Sequence, residues 1–342
     1  MPFDPAERRQ IGRSTVQVIR LGLGGASIGG LFEPVSDDDA LATIDRAWAL
    51  GVRYFDTAPL YGYGISERRM GRALSTRPRD EFVLSSKVGR VIRPIEQIPR
   101  GADVDRQELG GRGDAFYAGT GPDRPVFDYS RDGILRSIEE SLERLGLDRI
   151  DIALIHDPDN HWQAAIDEAY PALHRLREEG TVRAIGVGMN QSAMLARFAR
   201  EGDFDAFMLA GRYTLFDQDG LTELLPLCLG RGIAVLIAGA MNSGLLASAQ
   251  PGARLDYKPA PPAAIERARQ LATVCARHDV WLKTAAIQFS LAHPSVAALV
   301  AGVRTVEHLE DYPTLMRRTI PVALWDDLRH EGLIASEAPT PG

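Results

Sequence analysis

The sequence predicts an α/β protein in which eight parallel strands close into a (β/α)8, or TIM, barrel. Short apolar segments of strand character alternate with longer segments whose apolar residues recur at helical spacing, as expected for parallel strands joined by crossover helices. The 342 residues of the chain accommodate eight such units, which favours a closed barrel over an open sheet. The predicted strands are 21–25, 53–57, 82–87, 150–156, 184–187, 206–210, 234–237 and 296–301.

Helix signals follow these strands in order. Ser36, with Asp39 three residues later, is typical of a helix start, and the apolar residues between Ala40 and Trp48 recur at helical spacing. The later helices are predicted over 66–74, from 130 to 145, over 162–179, from 192, and over 221–229, 263–278, 282–292 and 306–316. Outside the barrel, a β-hairpin is predicted over 9–19 and an extra C-terminal helix over 321–331.

One segment interrupts the alternation. Residues 90–129, directly after the third strand, are rich in Gly, Pro, Asp and Arg and have few apolar anchors. Structureless loops of this length are uncommon in compact domains and are often functional, and a disordered surface insertion is the alternative. We therefore predict one barrel domain over 1–335 with a long insertion after strand 3, followed by a disordered tail over 336–342.

Composition restricts the classes of partner. Hydrophobic residues make up 45% and charged residues 25% of the chain, and the net charge is −7, a mixture typical of a cytoplasmic globular protein. This charge argues against a nucleic-acid partner, and no apolar segment approaches the length of a membrane span. Cys228 and Cys275 lack metal-ligand spacing and are expected to be buried thiols in a reducing compartment. The start Met1–Pro5 lacks the features of a signal peptide. We expect a monomer or a weak homodimer.

Three of the predicted strands end in an ionisable residue. These residues are Asp56, Lys87 and His156, and Tyr61 follows Asp56 in the next loop. The carboxyl ends of the strands of such a barrel share one rim, where catalytic residues collect. Polar groups on apolar strands are costly to bury unless they satisfy one another, so we expect these four side chains to lie together.

The four residue types suit proton transfer at a carbon–oxygen group. A lysine ammonium beside a tyrosine is expected to lower the tyrosine pKa from about 10, and a carboxylate would orient the lysine. A histidine in the same volume can hydrogen-bond a carbonyl or alcohol oxygen. Since the sequence has neither a strong nucleophile nor a metal-ligand cluster here, this chemistry suits hydride transfer with a cofactor. Each residue alone has an ordinary structural explanation, and only their joint placement indicates a site.

A different dinucleotide-binding fold is less favoured. An open doubly wound sheet would place Gly-x-Gly-x-x-Gly between its first strand and first helix. The segment 21–30 is rich in glycine, but no helix begins directly after it. The barrel interpretation therefore stands.

Three segments of the chain, two of which carry Asp56, Tyr61 and His156, resemble the signatures of the aldo-keto reductase family, and the resemblance covers nearly the whole chain. It implies a (β/α)8 barrel that binds a nicotinamide dinucleotide without a Rossmann fold. By this resemblance Tyr61 is the general acid or base, Lys87 held by Asp56 tunes it, and His156 orients the substrate oxygen. The three segments are Phe55–Glu67, Leu142–His156 and Gly302–Leu309.

The resemblance also implies a set of cofactor-binding residues. Asn190 is expected to hold the nicotinamide carboxamide, where many relatives have Ser-Asn. The segment 241–244 lacks the aromatic residue that commonly stacks on the nicotinamide and suits a pyrophosphate, although an ordinary turn is the alternative. The full predicted set is Gly25, Ala26, Asp56, Asn190, Met241, Asn242, Ser243, Gly244, Gly302, Arg304, His308 and Asp311.

The C-terminal part of this set bears on the choice between NAD and NADP. A 2′-phosphate needs a cation, and Arg304 is available, although it could instead stack on adenine. His308 stands where many NADP-dependent relatives carry Arg or Gln, and Glu307 and Asp311 are close to it in sequence. Because two carboxylates would repel a phosphate, we predict NAD, with NADP as the alternative.

A narrower resemblance concerns the substrate. The insertion 90–129, with 186–190 and 241–244, resembles the aldose 1-dehydrogenase and pyridoxal 4-dehydrogenase branch of the family. This implies NAD-dependent oxidation of a cyclic hemiacetal to a lactone, first of an L-fucose or D-threo-aldose type sugar, with Tyr61, His156 and Asp157 at the substrate. The alternatives are oxidation of pyridoxal to 4-pyridoxolactone, NADPH-dependent reduction of aldehydes or ketones, and a non-catalytic nicotinamide-sensing subunit.

Overall fold

A closed barrel of eight parallel strands organises the structure, a computed structural model that describes residues 2–106, 108–109 and 114–342. The barrel strands, here β1 to β8, occupy every segment in which a core strand is predicted. Their bounds are Leu21–Gly24 (β1), Tyr54–Asp56 (β2), Val83–Val88 (β3), Ile152–His156 (β4), Ala184–Met189 (β5), Ala206–Ala210 (β6), Ala234–Ala238 (β7) and Val296–Gly302 (β8).

Neighbouring strands in the chain are also neighbours in the barrel. Each strand pairs in parallel with the next, and β8 pairs with β1 through Leu299 and Leu21, which closes the sheet. The strand residues are buried on both faces because side chains fill the barrel inside and helices cover it outside. The carboxyl ends of all eight strands therefore meet at one rim, as the sequence predicts.

Helices surround the barrel at the predicted places. Ser36 begins the first of them, since its side chain accepts a hydrogen bond from the backbone N–H of Asp39. The helix predicted over 162–179 is continuous but contains one π-helical turn, Ala165–Ala169. The main helices are Asp37–Ala49, Ile65–Leu74, Arg131–Leu145, Tyr170–Glu178, Ser192–Glu201, Leu224–Arg231, Pro262–Arg277, Leu282–Leu291, Val306–Arg317 and Val322–His330.

The N-terminal hairpin is present and precedes β1. Arg8–Gln10 pairs antiparallel with Gln17–Ile19, and the side chains of Ile11 and Val16 are fully buried in the core. The amino end of the barrel is therefore covered by apolar residues. This leaves the opposite rim for ligands.

The long insertion is more regular than the sequence predicts. Arg90–Arg93 pairs antiparallel with Arg124–Phe127, and Glu108–Leu109 pairs with Asp114–Ala115. The two strands of the first pair are far apart in the chain, so no local turn signal links them in the sequence. The described part of the insertion is therefore built from strands rather than from structureless loop.

A second hairpin follows β7 and was not predicted. Arg254–Leu255 pairs with Lys258–Pro259. The turn residues Asp256 and Tyr257 have φ angles of +49° and +65°, where glycine or asparagine is usual. Asp256 is a common turn residue, but tyrosine in place of glycine at 257 breaks the usual Asp-Gly signal, so the sequence does not predict this hairpin.

The C-terminal tail also differs from the prediction. Residues 336–342 are predicted to be disordered, but Ala338 is only 2% exposed. The guanidinium of Arg329 donates to the carbonyl of Ala338 (3.1 Å) and to Thr340 Oγ1 (2.8 Å). The tail is therefore packed against the last helix, and only the folded chain supplies the partner that holds it.

Strand β5 contains two glycines with different spatial requirements. A Cβ atom on Gly186 would lie 1.9 Å from the carbonyl oxygen of Ala206 and 2.8 Å from Leu154 Cδ2. A Cβ atom on Gly188 would meet Met208 Cβ at 3.5 Å, an ordinary contact. Glycine at 186 therefore allows β5 to pack closely against β6. Asn190 follows the end of β5 directly.

We predict that Gly186→Ala lowers the free energy of unfolding by about 3 kcal/mol, because the added methyl group clashes with backbone atoms. The matched control Gly188→Ala should cost less than about 1 kcal/mol. Urea denaturation of the two variants measures both values. Equal midpoints would contradict the close approach between β5 and β6.

Candidate active site

A buried ion pair lies at the rim between β2 and β3. Lys87 Nζ donates to both carboxylate oxygens of Asp56 (2.9 and 2.7 Å) and to the carbonyl oxygen of Thr57 (3.0 Å). Lys87 and Asp56 are each 2% exposed. Ser85 also donates to Asp56 Oδ1 at 2.7 Å. Since an ammonium group has three N–H donors, all of those on Lys87 are engaged.

Tyr61 reaches the same rim from the loop after β2. Lys87 Nζ lies 4.6 Å from the centroid of its ring, and the ring of His156 lies 5.7 Å away in an edge-to-face arrangement. Gly62, with a φ of +65°, allows the loop to turn here, since a Cβ atom would be 2.2 Å from the carbonyl oxygen of Gly29. The structure therefore brings together the four residues predicted to form a cluster.

The protonation state of Tyr61 differs from the prediction. Burial raises the pKa of its phenol well above the usual 10.0, and the Asp56 carboxylate raises it further. The sequence predicts the opposite direction on the ground that Lys87 is close. That prediction was wrong because burial, the largest cause, and the Asp56 carboxylate both disfavour the phenolate, while the Lys87 ammonium donates its hydrogens to Asp56 and Thr57. Tyr61 is therefore a neutral phenol at neutral pH.

His156 is the last residue of β4 and is also neutral. Burial lowers the pKa of its imidazole well below 6.5, and the positive charges of Arg90 and Lys87 lower it further. Its backbone carbonyl accepts hydrogen bonds from Arg90 Nη1 (2.7 Å) and from the hydroxyl of Tyr129 (2.6 Å). The insertion therefore fixes the position of His156 through both of these side chains.

Asp157, predicted to contact the substrate, follows His156 directly. Its Oδ2 lies 3.4 Å from His156 Nε2 and 3.8 Å from Arg90 Nη2. Burial raises the pKa of Asp157 to about 6, with Arg90 opposing this shift and Asp159 adding to it. About a third of its side chain, 33%, remains accessible. Asp157 is therefore a carboxyl group at the mouth of the site that changes charge near neutral pH.

Arg90 and Asp105 are site residues that the sequence analysis missed. Arg90 Nε donates to Asp105 Oδ2 at 2.6 Å, and its guanidinium lies 4.6 Å from the centroid of the Phe127 ring. Both charged residues are buried. The available signal was the position of Arg90, directly after a predicted catalytic strand. Asp105 has no such signal because its contact depends on how the insertion folds.

Aromatic side chains from three loops surround the mouth, and we call Phe32, Phe116, Tyr117 and Tyr257 the aromatic rim. Tyr117 lies 6.1 Å from Tyr61 between ring centroids, and Phe116 lies 5.3 Å from Tyr257. The backbone N–H of Phe32 donates to the carbonyl of Phe116 at 2.9 Å, which joins the loop after β1 to the insertion. Phe116 and Tyr117 lie within the predicted insertion 90–129, whereas Tyr257 lies in a segment for which no site residue was predicted.

The predicted cofactor residues lie along the same rim. The N–H of Gly25 donates to the carbonyl of Asp56 at 2.7 Å, and Ala26 begins the short helical turn Ser27–Gly29. At the end of β8, Gly302 approaches Ser27, since a Cβ atom there would lie 3.6 Å from its hydroxyl oxygen. Asn190, half-buried, comes directly after β5.

The segment after β7, where a cofactor contact is predicted, has an unusual backbone. Asn242, Ser243 and Gly244 have φ angles of +46°, +57° and +100°, and such strained positions cluster at ligand sites. Asn242 Nδ2 donates to the carbonyl of Gly211 at 3.2 Å, whereas its buried Oδ1 has no partner among the described residues. An acceptor of this kind fits an amide N–H or a hydroxyl group of a cofactor. Met241, half-buried, precedes it.

Of the residues predicted to bind the adenosine end of the cofactor, Arg304 and Asp311 already hydrogen-bond other residues of the chain. Arg304 donates to Glu33 at 2.6 Å and to the carbonyl of Leu31 at 3.3 Å. Asp311 is exposed and accepts a hydrogen bond from Lys283 Nζ at 3.2 Å, a cation that the sequence analysis did not identify. His308 is exposed in the first turn of the helix Val306–Arg317.

The barrel and the Asp–Tyr–Lys–His cluster at its carboxyl rim define an oxidoreductase of the aldo-keto reductase type. Comparison with known families agrees, because the aldo/keto reductase family matches residues 20–324, and the chain belongs to this family. Members use nicotinamide cofactors. Within the described part of the chain, no helix is long and apolar enough to cross a membrane.

Two characterised relatives are similar over nearly their whole length. The chain is 43% identical to D-threo-aldose 1-dehydrogenase from a Pseudomonas species, over 94% of this chain and 95% of that protein. It is 38% identical to pyridoxal 4-dehydrogenase from Microbacterium luteolum, over 98% of this chain and 100% of that protein. The holo form of an aldo-keto reductase from Bacillus halodurans has the same fold, with a TM-score of 0.72 and 23% identity, covering 97% of this chain and 98% of that one.

We predict that Tyr61 does not ionise below about pH 10 in the protein without ligand, because burial disfavours the phenolate. An alkaline titration of tyrosinate absorbance, with Tyr61→Phe subtracted from the unaltered protein, isolates this residue. A tyrosinate signal of one residue that titrates near neutral pH would contradict the prediction.

Proposed function

We propose that this protein oxidises the cyclic hemiacetal of a sugar of the L-fucose or D-threo-aldose type to a lactone, with NAD as the hydride acceptor. The observation that carries the proposal is the cluster of buried Asp56, Lys87 and His156 with partly exposed Tyr61 at the carboxyl rim. The 43% identity to a D-threo-aldose 1-dehydrogenase over 94% of the chain supports the substrate class.

The four residues have distinct proposed roles. Tyr61 and His156 lie within one ring contact of each other, so both can hydrogen-bond the anomeric oxygen. Tyr61 is the general acid or base at that oxygen. Lys87 is the fixed positive charge of the site, and Asp56 keeps its ammonium group in place. The nicotinamide, when bound, supplies the acceptor for the hydride from C1.

The residues around the mouth support a ring-shaped, hydroxylated substrate. The carboxyl group of Asp157 can accept hydrogen bonds from hydroxyl groups. The aromatic rim offers flat apolar surface to the C–H face of a sugar ring. Asp157 lies beside His156, and Tyr117 of the aromatic rim lies beside Tyr61, so a substrate that reaches the catalytic oxygen site would be close to both features.

Oxidation of pyridoxal to 4-pyridoxolactone is the second candidate. Pyridoxal also forms a cyclic hemiacetal, and its planar ring would stack on the aromatic rim. The 38% identity to a pyridoxal 4-dehydrogenase over 98% of the chain supports it. If the protein works in the reductive direction, the candidate function is NADPH-dependent reduction of aldehydes or ketones. If it is not an enzyme, the candidate function is that of a nicotinamide-sensing subunit.

The choice of NAD rests on the charges near the predicted ribose site. Glu307 and Asp311 are exposed there, and both carboxylates disfavour a 2′-phosphate. Arg304 and Lys283 are the nearby cations, but they are paired with Glu33 and Asp311. The proposed Asn190 and Asn242 contacts to the cofactor apply equally to NAD and NADP. We propose that one barrel domain, as a monomer or weak homodimer, carries the activity.

A substrate panel tests the proposal directly. The purified protein is incubated with NAD or NADP and with L-fucose, D-arabinose, L-galactose, pyridoxal or a simple alcohol, and the absorbance of the reduced nicotinamide is followed. Reduction of NAD with an aldose is the expected result. Reduction of NAD with pyridoxal and with no aldose would select the second candidate. Consumption of NADPH with aldehydes, without any oxidation, would overturn both the proposed cofactor and the proposed direction of the reaction.

We predict that Tyr61→Phe lowers kcat by roughly 10²- to 10⁴-fold, because the variant cannot transfer a proton. Cofactor affinity should stay within a few-fold. Tyr63→Phe, which removes a hydroxyl group two residues away, is the matched control and should retain activity. A loss of cofactor binding as large as the loss of rate would contradict the assigned role.

We predict that His308→Arg raises the preference for NADP over NAD by roughly tenfold, because a guanidinium can bind a 2′-phosphate. The control His330→Arg makes the same change at an exposed position on the last helix and should have no effect. The ratio of kcat/KM for the two cofactors measures the preference. An unchanged ratio would place the ribose elsewhere.

A further inference from the structure

The backbone carbonyl of His156 lies where β4 leaves the barrel sheet. The pairing of β4 with β3 ends one residue earlier, at Ile155 and Val88. A buried backbone carbonyl needs a hydrogen-bond donor, and here the insertion after β3 supplies two. Arg90 Nη1 donates to this oxygen at 2.7 Å and the hydroxyl of Tyr129 donates at 2.6 Å. The end of β4 is therefore held by side chains from outside the barrel.

The guanidinium of Arg90 bridges the insertion and β4. Its Nη1 donates to the carbonyl of His156, while its Nε donates to Asp105 Oδ2 at 2.6 Å. Its central carbon lies 4.6 Å from the centroid of the Phe127 ring. Both charged residues are buried. A guanidinium presents its donors in a rigid planar fork, so one side chain can fix the distance between two acceptors, which the point charge of an ammonium group cannot do.

Tyr129 restrains the same piece of backbone from a second direction. Its hydroxyl donates to the carbonyl of Asp157 at 3.0 Å as well as to that of His156. Its ring stacks on Phe127, with 6.1 Å between the centroids and 19° between the planes. Gly89 gives this ring its place, because a Cβ atom there would lie 2.2 Å from Tyr129 Cε1. The turn that follows β4 is thus fixed by two side chains that pack on one phenylalanine.

The imidazole of His156 has weaker restraints of its own. It makes an edge contact with the ring of Tyr61, at 5.7 Å between centroids, and its Nε2 lies 3.4 Å from Asp157 Oδ2. Both are longer than the two buried hydrogen bonds to its backbone carbonyl. The place of the imidazole at the rim therefore depends on the backbone that carries it.

We propose that Arg90 and Tyr129 are positioning residues of the active site, which hold the imidazole of His156 in place through its backbone carbonyl. This inference rests on the proposed function, in which His156 hydrogen-bonds the substrate oxygen. Asp105 contributes by holding Arg90 at the right distance from that carbonyl. The insertion after β3 is thereby required for the rate of the chemical step, in addition to forming a wall of the mouth.

Arg90→Lys separates position from charge. Lysine keeps the positive charge which, after burial, lowers the pKa of His156, but it cannot bridge two acceptors. We expect kcat to fall by roughly 10- to 10²-fold, since a small displacement of a catalytic group has effects of this size. NAD should still bind at one equivalent per chain with an affinity within a few-fold, which shows that the variant is folded. Full kcat in Arg90→Lys would overturn the proposal.

Arg93→Lys is the matched control for this variant. Arg93 lies on the same strand, and its guanidinium pairs with Glu140 at 2.9 and 3.0 Å. It should keep full kcat. An equal loss of kcat in Arg93→Lys and Arg90→Lys would attribute the effect to the strand and overturn the proposal.

Tyr129→Phe is a smaller change that keeps both the ring and the charges of the site. It should lower kcat by up to roughly tenfold, the effect of one hydrogen bond. The control Tyr170→Phe also removes a hydroxyl group bonded to the backbone, since Tyr170 accepts from the N–H of Asp203 at 2.9 Å, and it should keep full kcat.

A double-mutant cycle tests whether both residues act through His156. In a His156→Ala background there is no imidazole to position, so Arg90→Lys and Tyr129→Phe should each change the remaining rate by less than about twofold. Losses as large as those in the unaltered background would overturn the proposal.

A readout without turnover separates this inference from the proposed function. In protein isotopically labelled at histidine, the imidazole NMR signal of His156 is identified by its absence from His156→Ala. It should shift in Arg90→Lys and Tyr129→Phe and stay in place in Arg93→Lys and Tyr170→Phe. If these shifts occur but the protein oxidises no hemiacetal, the proposed function is overturned and the positioning role stands. An unmoved signal would overturn the positioning role whatever the substrate.

Discussion

The buried ion pair between Lys87 and Asp56 is the interaction on which the site depends. Two opposite charges without solvent remain stable only if each is fully hydrogen-bonded, and here Ser85 and the carbonyl of Thr57 complete the set. Removing one partner of such a pair typically costs about 3–5 kcal/mol, because the other charge is left buried. The pair therefore joins the carboxyl ends of β2 and β3. It also holds the Lys87 ammonium group against the ring of Tyr61.

The same burial determines the protonation of the neighbouring groups. Tyr61 and His156 are held in their neutral forms, and the pKa of Asp157, which is partly accessible, is raised to about 6. The site therefore combines a buried ion pair with a neutral phenol and a neutral imidazole, and the carboxyl group of Asp157 lies next to the imidazole.

The walls of the site come from segments outside the basic barrel. The insertion after β3 supplies Arg90 and Tyr129, which hold the backbone of His156, and also Tyr117 of the aromatic rim. The hairpin after β7 supplies Tyr257, and the pairing of Arg212 with Asp256 (2.8 and 2.9 Å) anchors it. The ends of the barrel strands thus position the catalytic residues. The insertion after β3 and the hairpin after β7 supply side chains that shape the mouth of the site.

The sequence by itself determined the eight strands, their order, and the meeting of Asp56, Tyr61, Lys87 and His156, because periodicity reports which residues each element buries and parallel strands share one carboxyl rim. Tertiary structure alone decided the folding of the insertion, the Arg90–Asp105 pair, the second hairpin and the packed tail, since each depends on contacts between distant segments that leave no local pattern. It also decided the direction of the Tyr61 pKa shift. That direction depends first on how far the folded chain buries the phenol and then on the nearby Asp56 carboxylate, and composition and spacing do not record this.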